Sequence, residues 1–269
     1  MTDGDESSSR PAGSAAGGLI IAVYGFAVYA VFLLVFLYLI GFIADADFIV
    51  GGFRFVARSI NRGNGDGSVG LSAVLIDLAV LALFGVQHSV MARPAFKRRW
   101  TQLIPASAER SSYVLATNIC LIVLVLAWYP MTAAVWQVTT QPWQALLIAV
   151  SFVGWLIALV STFLIDHFDL FGVRQVLARL SGRRAAEHEF STPFLYRVIR
   201  HPLYTGFIIA FWVTPTMTLG HLLFAAAMTG YILLAVRYEE RDLMSIFGDR
   251  YRDYRRRVPM LIPRLRDHS

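Results

Sequence analysis

Apolar positions in this chain come in long unbroken runs, not in the alternating or every-third-and-fourth patterns of a soluble fold. Ile20 to Phe42, Leu71 to Met91, Tyr113 to Trp136 and Trp143 to Ile165 each hold about the 20 residues a helix needs to cross a bilayer. The second run carries one acid, Asp77. A fifth apolar region, Leu203 to Val236, is interrupted by Pro215 and Gly220. Proline removes a backbone donor and clashes with the preceding turn, so this region predicts a hairpin of a short and a longer helix. The expected fold is an all-α polytopic membrane protein: four long transmembrane helices plus a C-terminal helical hairpin.

Polar segments set the sidedness. Between spans two and three, Arg93 to Arg110 holds five Lys/Arg against one acid, and the segments after span four and after the hairpin are also rich in Arg. The stretch Pro130 to Pro142 carries no formal charge, and Asp45 to Gly70 balances three Arg with three Asp. Basic loops stay in the cytosol, so both termini, the 93–112 loop and the 166–202 segment are expected there. Within the first loop, "FIVGGFRFVARSI" reads as an interfacial helix on the outside and "GNGDG" as a flexible turn. Residues 1–18, rich in Gly, Ser and Ala, read as a disordered cytosolic tail. They lack a basic n-region, and the apolar run behind them is too long for a signal peptide, so no cleavage is expected.

With 57% apolar and 16% charged residues, an ordinary soluble domain is excluded. The lone Cys120 excludes a disulfide framework and a thiolate metal cluster, and the His and Asp spacing fits no zinc pattern. The net charge of +6 belongs to the membrane edge, so the lipid bilayer is the expected partner, with no nucleic acid and no obligate protein partner.

The predicted topology gathers polar residues at one depth, the cytosolic edge. His88 ends span two; Asp166, His167 and Asp169 end span four; Arg200, His201 and Tyr204 begin the hairpin; Glu239 and Glu240 end it. Taken singly, an Arg, His or Tyr there is an anchor; gathered and turned inward, they make a site. Pro202 suits the first turn of a helix, whose free N–H groups and positive dipole end favour a carboxylate. Two acids at the far end of the hairpin, near a helix C-terminus, suit a cation. Together they suit a zwitterionic amino-acid moiety. Asp77 reads as a helix–helix contact, and His221 and His268 as residues without a site role.

"RHPLYTG", followed after one hairpin by "YEERDLMSIFGDRYRDYRRRVPMLIP", resembles the membrane methyltransferases related to isoprenylcysteine carboxyl methyltransferase and phospholipid methyltransferases. With "QHSVMARPAFKRRW", "STFLIDHFDLFGVRQV" and "YILLAVRYEERDL", the chain is similar to the bacterial methanethiol S-methyltransferases, which share an N-terminal region with NnrU-like membrane proteins. The resemblance implies methyl transfer from S-adenosyl-L-methionine to methanethiol at a bacterial inner membrane, giving dimethyl sulfide and S-adenosyl-L-homocysteine. It implies one membrane methyltransferase domain over 19–269, with a four-span bundle (19–165) and a cofactor-binding region (166–269). It also implies cofactor contacts from His188, Glu189, Phe190 and Ser191 around the adenosine and Tyr196 beside it. His201, Pro202, Leu203 and Tyr204 contact methionine and adenosine, and Glu239 with Glu240 supplies acidic contacts. Ala235 stands where the isoprenylcysteine enzymes place a substrate-orienting Arg, which disfavours a prenylated acceptor. A lipid acceptor, an NnrU-like haem-binding isomerase and a transporter or sensor are the other readings.

The nucleophile in such a reaction is a thiolate, and an alkyl thiol is a weak acid, so a base near neutrality is expected. His167 and His88 are the candidates. Asp169 or Asp166 would orient His167 and raise its basicity, and Arg200 would steady the thiolate or the cofactor carboxylate.

Overall fold

The computed structural model describes residues 15–46, 49–50, 53–182 and 191–263. In chain order its elements are α1 (Ala15–Ile43), β1 (Ile49–Val50), β2 (Phe53–Arg54), α2 (Leu71–Ala92), α3 (Pro94–Trp100) and α4 (Glu109–Ala127). There follow β3 (Ala134–Gln137), α5 (Trp143–Ile165), α6 (His167–Leu170), α7 (Val173–Leu180), α8 (Pro202–Trp212), β4 (Thr216–Thr218), α9 (Leu219–Phe247) and α10 (Asp249–Arg257). Short 3-10 turns at Ala106–Ala108 and Phe194–Arg197 precede α4 and α8. Among the described residues, α1, α2, α4 with its leading turn, α5 and α9 are long and apolar enough to cross a membrane. The 11 residues of α8 rise about 16 Å, about half of a bilayer's hydrocarbon core.

The all-α architecture and the hairpin agree with the hydropathy pattern, and three boundaries differ. Helix α1 opens at Ala15, inside the segment expected to be a tail, while residues 1–14 lie outside the described set. The third span ends at Ala127, nine positions before Trp136. Trp128 there turns inward, fully buried, with its indole donating to the Ile60 carbonyl at 3.1 Å, and the carboxylate of buried Asp77 accepts from the Tyr129 N–H at 2.8 Å. That acid, set inside an apolar helix, thus receives a backbone donor freed where α4 stops. In the first loop, the expected interfacial helix is replaced by the antiparallel pair β1–β2. Its Ile, Val and Phe residues favour an extended chain over an isolated helix.

Loops sort cleanly onto two faces. On one, β3 pairs antiparallel with β4, matching Ala134 with Thr218 and Gln137 with Thr216, and the Thr218 hydroxyl donates to Asn61 at 2.7 Å. The 44–70 loop, the 128–142 loop and the hairpin turn are thereby joined. Helices α3, α6, α7 and α10 follow the opposite ends of the spans. Thr218 also caps α9, accepting from the His221 N–H at 3.2 Å.

The core runs between the spans, from Phe42 and Trp128 through Trp155 to Phe211, Phe224 and Val236. Its closest approach is the crossing of α5 and α8. A Cβ on Gly206 would lie 2.5 Å from the Gly154 carbonyl oxygen, and one on Gly154 would lie 2.7 Å from the Gly206 oxygen. Two backbones touch here because neither residue has a side chain. The glycine of "RHPLYTG" therefore serves packing.

Candidate active site

The motif segment before α8 is held by the segment that follows α10. Arg200 and His201 donate their N–H groups to the carbonyls of Pro259 and Met260 at 2.9 and 3.1 Å, and the Thr205 hydroxyl donates to Leu261 at 2.8 Å. Arg200 is buried, and its guanidinium is shared between Glu240 Oε1 (2.7 Å) and the carbonyls of Arg255 (3.0 Å) and Val258. Glu240 is buried too. Its Oε1 also accepts from His201 Nε2 at 3.1 Å, and its Oε2 faces Arg255 Nε at 3.2 Å. The chemistry of this knot is complete: a buried carboxylate with cationic or N–H partners on both oxygens leaves no lone charge. Tyr254 on α10 adds to it, donating to the Tyr196 carbonyl at 2.6 Å; burial pushes its phenol up to about 12, so it stays a donor.

Glu239, one residue earlier, differs. Its side chain is 43% exposed, Tyr204 donates to its Oε2 at 3.0 Å, and His201 Nδ1 lies 3.9 Å away. Tyr196, half-buried, lies within electrostatic reach of Glu239, and burial raises its phenol pKa. Pro202 and Leu203 open α8, where the first N–H groups have no intrahelical acceptor. The acids do not stand at a helix C-terminus, as the sequence suggests, because α9 runs on about two turns to Phe247.

His88 on α2 packs against α4. Its Nε2 lies 2.8 Å from the Tyr113 hydroxyl and its Nδ1 3.3 Å from Thr117 Oγ1. Phe84 stacks on the ring at 5.3 Å, and Phe84 packs against Tyr231 at 5.9 Å. Tyr204, in turn, lies within electrostatic reach of Tyr231 and Tyr113. The wall of His88, Tyr113 and Tyr231 therefore looks toward the Tyr204–Glu239 pair.

His167 stands elsewhere. It is buried at the start of α6, its Nε2 2.8 Å from the Tyr29 hydroxyl and its Nδ1 2.8 Å from Thr162 Oγ1, with Phe163 stacked 4.1 Å away. Burial lowers its pKa, and Asp166 only partly opposes that. The expected rise in basicity is overturned for a physical reason. Asp166 caps α6 and pairs with Arg174, while the Asp169 carboxylate accepts from Gln175 at 2.9 Å. His188, Glu189 and Phe190 lie outside the described residues, and Ser191 is exposed where the chain resumes.

Tyr113, Thr117 and Tyr231 have no counterpart among the residues singled out from the sequence, since a tyrosine in an apolar run reads as an anchor. Arg255 and the 258–261 segment were hidden as well, inside what reads as a basic tail.

The chain is similar to methanethiol S-methyltransferase 2 of Bradyrhizobium diazoefficiens, at 49% identity over 248 residues, covering 92% of this chain and 91% of that protein. Methanethiol S-methyltransferase of Mycobacterium tuberculosis is 46% identical over 241 residues, 90% of this chain and 95% of its own. Nurim of Danio rerio is 29% identical over 233 residues, 75% of this chain and 80% of its own. No protein-family model matches, and no solved structure does.

Proposed function

The chain belongs to the methanethiol S-methyltransferase family, and we propose that it methylates methanethiol, using S-adenosyl-L-methionine and releasing dimethyl sulfide and S-adenosyl-L-homocysteine. The observation that carries this reading is the near-half identity to proteins of that name, sustained along nearly the full length of both chains.

The donor set at the hairpin mouth fits such a methyl donor. The donor's amino group and sulfonium are cationic, and the half-exposed Glu239 carboxylate offers the acceptor. Its carboxylate suits the first N–H groups of α8 at Leu203 and Tyr204. Tyr196 offers a ring face to the adenine, and the resemblance assigns His188 to Ser191 to the adenosine. When bound, the cosubstrate supplies an electrophilic methyl group. Arg200 and Glu240, bonded to each other within the protein, hold His201 and the α8 start in place. They are positioning residues.

The thiol must be ionised to react. Even a cysteine thiol has a pKa of about 8.5, and an alkyl thiol is weaker. Of the two histidines, His88 is the better placed base, because its partner Tyr113 lies within electrostatic reach of Tyr204, whereas His167 and Asp169 are tied into the α5–α6 corner. Methanethiol, small and apolar, reaches this wall through the bilayer. The cosubstrate, being hydrophilic, comes from the cytosol, in keeping with the basic loops on that face of an inner-membrane protein.

The test is headspace gas chromatography of purified protein given both substrates. Dimethyl sulfide that requires both supports the reading. Its absence, or methylation of added phospholipid instead, would sink it.

A further inference from the structure

We propose that Tyr113 is a second catalytic residue: its phenol takes the thiol proton while passing its own to His88. The proposal rests on the reading that a thiol is methylated at this site.

The reason is that His88 has no open nitrogen. Tyr113 covers Nε2 at 2.8 Å, Thr117 covers Nδ1 at 3.3 Å, and Phe84 covers a ring face. A thiol can therefore reach the imidazole only through a hydroxyl. Proton positions follow from counting. The single Thr117 hydroxyl proton goes to the Tyr113 carbonyl one turn earlier, at 3.0 Å, the shorter of its contacts. Toward His88 the threonine oxygen then accepts, so Nδ1 carries the ring proton and Nε2 presents a bare lone pair. Tyr113 must accordingly be the donor to Nε2. Its oxygen keeps lone pairs, and the residues within its electrostatic reach include Tyr231 and, through it, the Tyr204–Glu239 mouth. Thr117 thus fixes the tautomer that makes Tyr113 the proton conductor to Nε2.

The charged and titratable neighbours bear on both ends of the transfer. Arg110 lies with its guanidinium carbon 5.9 Å from the Tyr113 ring, and Glu109 is on the same helix. Tyr24 on α1 packs against the Val28–Tyr113–Val114 cluster, Tyr231 on α9 and Tyr204 on α8 lie within electrostatic reach of Tyr113, and Arg93 within that of Tyr231. The Arg110 cation stabilises oxygen charge built up on the phenol in passing and opposes positive charge on the His88 ring, so the imidazolium is short-lived. In the step, the S–H bond breaks and the proton goes to Tyr113 Oη, as the Tyr113 proton goes to His88 Nε2. The thiolate keeps the electron pair and forms the new carbon–sulfur bond as the methyl–sulfonium bond breaks, leaving two neutral thioethers. Once dimethyl sulfide has left, the imidazolium returns its Nε2 proton to water through the Tyr113 oxygen, one proton per turnover.

Tyr113→Phe keeps the ring and removes the conductor. For methanethiol, kcat should fall about 10²-fold at pH 7, the scale of general-base loss, with S-adenosylmethionine affinity by calorimetry within threefold of wild type. The deficit should shrink as pH rises and nearly vanish for thiophenol, which is already ionised. A wild-type rate, or a loss equal at every pH, overturns the proposal. If the variant is unstable, 3,5-difluorotyrosine at position 113 preserves shape and should move the acid limb of the pH profile downward; an unmoved limb overturns it. Independently of turnover, ¹⁵N NMR of histidine-labelled protein in nanodiscs should find His88 protonated at Nδ1, and protonation at Nε2 alone contradicts the relay. Wild-type protein that makes no dimethyl sulfide would instead reject the functional reading.

Discussion

Two polar clusters lie side by side at the same edge of the bundle, and they are built on opposite terms. In the knot of Arg200, His201, Glu240 and Arg255, the buried carboxylate meets partners inside the protein, and the chain end is strapped over it. In the wall of His88, Tyr113 and Tyr231, a few polar atoms sit among aromatic rings and look toward a half-exposed acid. The first cluster holds most of the recognisable motif, and the second holds almost none of it. The lesson is that a motif can mark the scaffold of a site while the reacting surface stands on neighbouring spans.

That contrast can be broken most forcefully in the knot. Arg200→Met leaves Glu240 buried with only part of its compensation, and breaking a buried pair costs about 3–5 kcal/mol. Thermal melting in detergent should show a protein lowered by many degrees or unfolded, with cosubstrate binding lost alongside. An unchanged melting point would mean the knot is not what holds α8 and the tail together.

Next comes the wall. His88→Gln should lower kcat for methanethiol about 10²-fold while leaving the melting point near wild type, because the side chain is half-buried. Between the clusters stands Glu239. Glu239→Gln keeps the Tyr204 contact but removes the charge, so cosubstrate affinity by calorimetry should fall about tenfold, the size of one charge-assisted contact. Equal affinity would remove Glu239 from the cosubstrate site.

The smallest effect concerns pH. Burial holds His167 below the ordinary histidine value of about 6.5. The unfolded chain then takes up a proton that the folded chain refuses, so the contribution is intact above about 6.5 and lost as pH falls from there through the folded pKa. Wild-type melting points should decline by a few degrees from pH 7.5 to pH 5, and His167→Phe should flatten that part of the slope. An identical slope in both would place the acid sensitivity elsewhere.

Much of this was legible beforehand. Charge-poor runs located the spans, Pro215 and Gly220 divided the hairpin, and basic loops sorted the two faces. The motif residues Arg200, His201 and Tyr204 and the acids Glu239 and Glu240 meet as the hairpin reading expects. Other features stayed hidden because they depend on contacts between distant segments. A span that is apolar all round has no amphipathic stripe to say which side faces a partner, so Tyr113, Thr117 and Tyr231 gave no signal. The end of α4 depends on Asp77 accepting from Tyr129, 52 positions away. The basicity of His167 was misjudged because nearness in sequence said nothing of Arg174 and Gln175, which occupy the acids beside it.

The central claim, that the thiol is activated at the His88 wall and not at the α5–α6 corner, is tested most directly by one paired measurement. Dimethyl sulfide production by His88→Gln and His167→Gln would be followed side by side in headspace assays at pH 7, with both proteins confirmed folded by their melting curves. A loss of about 10²-fold in the first, with the second within a few fold of wild type, is the predicted result. The reverse pattern would contradict it and return the base to His167.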